Sequence, residues 1–135
     1  RVPMIVCYPG HIAPGTKSDL PWYFADVLPT LMELVGQKIP DHVDGVSVLP
    51  TILGKSQDLS ERFLYWEHHD NDFSQAVRWR QWKAVRPAKE APLELYNLEV
   101  DVAEQKDVAS SHPDIVAKME AYLKTARTDS PNWPI

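Results

Sequence analysis

The run Gln75-Ala76-Val77-Arg78-Trp79-Arg80-Gln81-Trp82-Lys83-Ala84-Val85 decides how the second half of this chain folds. Two β-prone segments meet in it, with bases alternating against tryptophans. Strand alternation sends successive side chains to opposite faces, so the run reads as a hairpin with aromatics inward and cations outward. Comparable runs lie on either side: Phe63-Leu64-Tyr65-Trp66 before it and Leu93-Glu94-Leu95-Tyr96 after it. Four short strands at this spacing predict an antiparallel meander.

A helix is predicted beyond the last strand. Ile115, Met119, Tyr122, Leu123 and Ala126 recur at helical spacing, Pro113 lies in the first turn, and Ser111 with Asp114 three residues on forms a capping-box-like start. A four-stranded sheet can cover one face with such a helix, which makes residues 56–135 a small α+β unit.

Residues 1–55 have a different texture. Pro3-Met4-Ile5-Val6-Cys7, bounded by Pro9-Gly10, reads as a fully apolar strand of the kind buried inside a mixed or parallel sheet, with Cys7 as a small buried hydrophobe. A Gly/Pro-rich connection follows. Asp26 then opens a helical pattern with Leu28, Leu31, Met32 and Val35, which Gly36 caps and Pro40 keeps from continuing. Asp44-Gly45 is a turn signal, and Leu49-Pro50-Thr51-Ile52-Leu53 a short helical turn ended by Gly54. One apolar strand and one helix are unfinished by themselves, so this half reads as the tail of a larger α/β core.

Composition narrows the function classes. The chain has 135 residues, 44% of them hydrophobic and 24% charged, a globular balance. No apolar run approaches the roughly 20 residues needed to cross a bilayer, so no membrane partner is expected. The net charge of −5 argues against general nucleic-acid binding, because phosphate neutralisation needs a basic surface. A single cysteine excludes a disulfide framework or a multi-cysteine zinc cluster within the chain.

An ordered series of landmarks runs through almost the whole sequence: Arg1-Val2-Pro3-Met4-Ile5-Val6, Pro9-Gly10, Asp26-Val27-Leu28-Pro29-Thr30-Leu31-Met32-Glu33-Leu34-Val35-Gly36 and Asp44-Gly45-Val46-Ser47. It continues with Arg62-Phe63-Leu64-Tyr65-Trp66-Glu67, Gln75-Ala76-Val77-Arg78, Trp82-Lys83, Glu94-Leu95-Tyr96-Asn97-Leu98, Asp101, Glu104 and His112-Pro113. In order and spacing this resembles the C-terminal third of formylglycine-dependent sulfatases of the arylsulfatase and N-acetylgalactosamine-6-sulfatase type. The resemblance implies the end of an alkaline-phosphatase-like α/β core followed by a four-stranded antiparallel sheet packed on a C-terminal helix. It implies a parent that hydrolyses sulfate esters with a formylglycine nucleophile, made within a Cys/Ser-x-Pro-x-Arg motif, and with calcium. It places both upstream of Arg1, so the chain holds no catalytic residue and no metal ligand and is expected to be inactive alone. Its partners are then the upstream catalytic core and a sulfated glycan or small molecule. Relatives of this type are periplasmic, secreted or lysosomal. An apolar first strand without its sheet predicts self-association of the isolated chain.

Three constellations bear on this. Cys7-Tyr8-Pro9-Gly10-His11 supplies Cys-x-Pro but has His where the modification motif has Arg, and it falls where the family has a late core strand. Glu67-His68-His69-Asp70-Asn71-Asp72 is the densest polar cluster. Adjacent histidines on a strand point to opposite faces, so the pair suits a single ion poorly. In the family a loop after the first strand of the small sheet contacts the sugar or aryl part of the substrate, which makes His68 and His69 the candidate substrate-binding residues. The basic Trp hairpin, Arg78 to Lys83 with Arg86 and Lys89, also has the look of a glycan or single-strand binder. Here the sequence departs from the family, which commonly has Gly at the position of Arg80. Asp101 and Glu104 read as a local turn. The readings that stay open are a phosphate or phosphonate ester hydrolase of the alkaline phosphatase superfamily and a free-standing anion- or glycan-binding module.

Overall fold

In the computed structural model, which describes residues 2–69 and 73–132, the aromatic runs pair as one antiparallel sheet in the order β1-β2-β3-β4. The strands are β1 (Phe63–His68), β2 (Ser74–Trp79), β3 (Trp82–Arg86) and β4 (Glu94–Asn97). Phe63 faces Trp79, Trp79 faces Trp82, and Trp82 faces Asn97, so one register line runs across all four strands. Alternation does the rest: Gln75, Val77 and Trp79 are buried while Ser74, Ala76 and Arg78 are only partly so.

The buried face meets α3 (Pro113–Ala126). Val77, Trp79, Trp82, Ala84, Leu93 and Leu95 form one core with Met119 and Leu123, and Phe63, Ile115 and Tyr122 pack at its margin. Phe63 stacks on Tyr122 with ring centroids 4.2 Å apart. Trp79 and Trp82 are therefore core residues as expected, but Trp66, which alternates to the other face, is 40% exposed. The helix begins one residue later than its capping signal suggests. Ser111 ends a 3-10 turn, and His112 takes the N-cap position without a side-chain cap bond. Pro113 explains this, because a residue preceding proline is driven out of the helical region. Asp107 fastens the connection instead, accepting the Leu95 and Ala109 N–H groups at 2.9 and 2.8 Å.

The chain divides into two compact units, Arg1–Leu59 and Ser60–Ile135. The first contains α1 (Val27–Leu34), entered through a 3-10 turn at Phe24–Asp26, and the short α2 (Leu49–Ile52). Both helices end in the same left-handed glycine closure. Gly36, at φ +68°, donates to Glu33 while Gln37 donates to Met32 at 2.8 Å; Gly54, at φ +74°, donates to Thr51 while Lys55 donates to Pro50 at 2.8 Å.

Asp26 works differently from the helix cap expected of it. It is fully buried, and its carboxylate accepts the Tyr23 N–H at 3.1 Å and the Val46 N–H at 3.0 Å. Thr30 extends the same stitch: its hydroxyl donates to the Asp26 carbonyl at 2.6 Å and accepts the Val48 N–H at 3.0 Å. The segment 44–48 is thereby drawn against α1. A side chain at Gly45 would collide with the Ala25 backbone carbonyl, so close approach, and not a turn, requires glycine there. The turn falls earlier, at Asp41-His42, with Val43 donating to Pro40 at 3.3 Å.

Residues 3–7 are not a strand. Met4, Ile5 and Val6 are exposed, Ile5 at 92%, and Cys7 is an exposed free thiol in place of the buried one expected. A strand is held by neighbours that take its N–H and C=O groups, and among the described residues none pairs with this segment.

Candidate substrate-contacting site

Strand alternation along β1 puts Tyr65 and Glu67 on the face that carries α3 and sends Trp66 and His68 to the other. Glu67 is the hub of a polar network at the strand's exit. The Tyr65 hydroxyl donates to its Oε2 at 2.7 Å, the His69 Nε2 lies 3.1 Å from its Oε1, and the Arg127 Nε lies 3.3 Å from Oε2. Behind it the Gln75 amide donates to the Tyr65 hydroxyl at 2.9 Å, and Arg86 donates to the Gln75 carbonyl oxygen at 3.1 Å. Arg86 also lies 3.9 Å from Glu120 of α3. The register explains the assembly, since Glu67 is opposite Gln75 and Gln75 opposite Arg86.

Partial burial by itself would raise the Glu67 pKa. Hydrogen bonds from Tyr65 and His69 and the positive charge of Arg127 outweigh it and hold the carboxyl below its usual value. Tyr65 is the counterpart: burial first, then its bond to Glu67, push the phenol up to about 12. The result is an anchored carboxylate beside an imidazole. His69 is bounded on another side by Phe73, whose ring meets it edge-on at 5.3 Å between centroids.

The two candidate histidines therefore differ. His69 belongs to the network, whereas His68, itself exposed, ends β1 on the opposite face. Asp70, Asn71 and Asp72 of the same cluster lie outside the described residues. Among the described residues no group of three or more His, Cys, Asp or Glu side chains is arranged to hold a metal ion.

The basic hairpin is largely engaged with its own unit. Lys83 makes a two-pronged pair with Glu104 at 2.6 and 2.7 Å. Arg80 pairs with Glu61 and lies 4.8 Å over the Trp79 ring, while the Lys118 ammonium stands 3.6 Å from the centre of the same ring. Arg80 holds φ +52°, the conformation glycine adopts without strain. Glu104, at φ +55°, and Asp101, which accepts the Gln105 and Lys106 N–H groups, form the local turn expected of them. Pro9-Gly10 is also a turn, with His11 and Ile12 both donating to the Tyr8 carbonyl at 3.0 Å.

Sequence reasoning singled out His69 and missed the residues that hold it. Tyr65 and Glu67 are legible as same-face neighbours two apart on a strand. No local signal connects Arg127 to them.

The family described as N-sulphoglucosamine sulphohydrolase, C-terminal, matches residues 1–129. The rat (Rattus norvegicus) steryl-sulfatase is 37% identical over 92 residues, covering 62% of this chain and 16% of that protein. Among solved structures, a 2-O GAG sulfatase superposes with a TM-score of 0.66 at 29% identity, over 75% of this chain and 23% of that one. The phosphonate monoester hydrolase of Silicibacter pomeroyi gives a TM-score of 0.57 at 21% identity, over 76% and 24%, a likeness of fold alone. The chain thus spans about a quarter or less of each of these three proteins. Its landmark series, its four-stranded sheet closed by a terminal helix and the match over residues 1–129 agree, and the chain belongs to the sulfatases, in the family of their C-terminal portion.

Proposed function

We propose that this chain is the C-terminal part of an enzyme that hydrolyses sulfate esters of sugars or aryl compounds, and that it shapes access for the substrate without cleaving it. The observation that carries this reading is His69, held at the exit of β1 by Glu67 in a chain of the sulfatase family. An oriented imidazole can hydrogen-bond a sugar hydroxyl when neutral and attract an anionic oxygen when protonated. His68, exposed at the end of β1, is the second candidate contact. The chemical step needs a nucleophile and a cation for the developing charge, which formylglycine and calcium would supply. The residues described here do not fit that role: the Asp26 carboxylate is engaged by backbone N–H groups, and Glu67 and Glu104 by cations. On this reading both groups reside in the upstream catalytic core, the isolated chain is inactive, and the parent is periplasmic, secreted or lysosomal.

The test is kinetic. His69→Ala or His68→Ala in the full-length protein should raise KM for its sulfated substrate while leaving kcat close to wild type; unchanged constants for both variants would remove the contact role. The shared fold leaves phosphonate ester hydrolysis as a rival for the parent. Comparing full-length turnover of a sulfate monoester and of a phosphonate monoester separates the two, as does reading the residues upstream of Arg1 for a Cys/Ser-x-Pro-x-Arg motif. The reading as a free-standing glycan binder is less well supported, because Arg80 and Lys83 already face Glu61 and Glu104. Retention of the isolated chain on heparin, lost on Arg78, Arg80 and Lys83 substitution, would revive it.

A further inference from the structure

We infer that Arg127 and Glu67 are positioning residues for His69, so that the residue following α3 sets how the His69 ring meets the substrate. This rests on the reading above, that His69 contacts the sugar or aryl part of a sulfate monoester. Two segments far apart in sequence converge on one carboxylate: Tyr65 of β1 and His69 just past its end flank it, and Arg127 follows α3 directly. Glu67 divides its oxygens between them, Oε1 toward His69 and Oε2 toward Tyr65 and Arg127. The Arg127 side chain is only 8% exposed, less than Glu67 at 26% or His69 at 20%. It is thus the inner member of the chain of contacts and His69 an outer one. A carboxylate against Nε2 makes that nitrogen the donor and fixes the plane of the ring, while the Phe73 edge limits its swing.

Charge gives Arg127 a second task. A bare carboxylate beside the substrate would repel a sulfate ester, and a buried guanidinium offsets it without itself reaching the substrate. Loss of Arg127 should therefore weaken substrate binding in two ways, by freeing His69 and by leaving Glu67 uncompensated. Loss of Glu67 should do only the first.

The experiment is steady-state kinetics of the full-length protein on its sulfated substrate, with folding followed by thermal melting. Arg127→Met is expected to raise KM roughly 2- to 10-fold, the range of one lost hydrogen-bonded contact, with kcat near wild type. Glu67→Gln should raise KM less, and Arg127→Lys should keep most of the wild-type affinity. Should Arg127→Met fail to fold, Arg127→Lys and Glu67→Gln carry the test. In a His69→Ala background, Glu67→Gln should add nothing further, because its effect passes through that ring. A full additional rise there would overturn the inference, as would unchanged KM in Arg127→Met and Glu67→Gln when His69→Ala alone raises it. If His69→Ala leaves KM unchanged, it is the contact reading itself that fails.

Discussion

The unit Ser60–Ile135 folds its apolar residues onto one another, whereas Arg1–Leu59 leaves many of its own in solvent. Leu95, Val77 and Met119 are fully buried between sheet and helix. Val2, Ile5, Phe24, Leu28, Leu31 and Val35 are each more than half exposed, although α1 carries its apolar residues at helical spacing. Hydrophobic content does not separate the two regions. What separates them is that a meander and a following helix bury one another's faces, while the exposed side of α1 and the apolar segment 2–6 have no such partner among the described residues. Polar stitching takes over in the first unit, through Asp26, Thr30 and the glycine that lets segment 44–48 approach.

The contrast can be broken most directly by solution behaviour. The isolated chain should self-associate through the exposed residues 2–6, and Ile5→Lys should reduce that, as read by sedimentation or light scattering. A monodisperse wild-type monomer would refute it. Within the second unit, Leu95→Ala or Met119→Ala should destabilise by about 2–5 kcal/mol in denaturant unfolding, since both are large side chains with no exposure. In the first unit, Gly45→Ala should cost about 1–3 kcal/mol and act locally. Hydrogen exchange at the Val46 and Val48 amides should quicken while the β2 and β3 amides keep their protection; quickening in both units would show that the regions do not fold independently.

A finer test isolates the backbone at the hairpin. Arg80→Gly should be more stable than Arg80→Ala by about 1 kcal/mol, since both lack the guanidinium and only glycine is relaxed at φ +52°. The smallest effects are in titration. Tyr65 and Tyr96 are both pushed up to about 12, Tyr65 by burial first and Tyr96 by its hydrogen bond to Glu94 first. A phenol whose folded pKa is raised favours the fold fully below its unfolded value near 10.0, and that contribution is lost as pH rises through about 12. Phenolate absorbance should therefore show two late-titrating tyrosines. Glu67 has the opposite sign: its lowered pKa favours the fold above the usual value of 4.5, and the contribution disappears as pH falls through the lower folded value. Glu67→Gln should flatten that part of the acid stability profile.

The second unit was legible because its signals are local. The alternation across Ala76–Val85 and the helical spacing from Ile115 to Ala126 each describe an element that closes on its neighbour in sequence. Of the candidate site, His69 could be found from its polar surroundings, but its difference from His68 needed the strand's exit geometry. The apolar run at residues 3–7 pairs with no strand among the described residues, because such a run specifies burial and says nothing of what will cover it. Asp44-Gly45 was misread for a related reason: a glycine demanded by a turn and one demanded by a passing backbone are identical in sequence.

Period, punctuation and landmark order, all properties of residues near one another in the chain, determined by themselves the meander, the terminal helix and the kinship with sulfatases. Only the tertiary structure decided that Arg127 joins Glu67, that Asp26 binds Val46 and that Gly45 lies against Ala25. Those contacts join residues distant in sequence. Their partners are set by how whole elements pack, which no local pattern records.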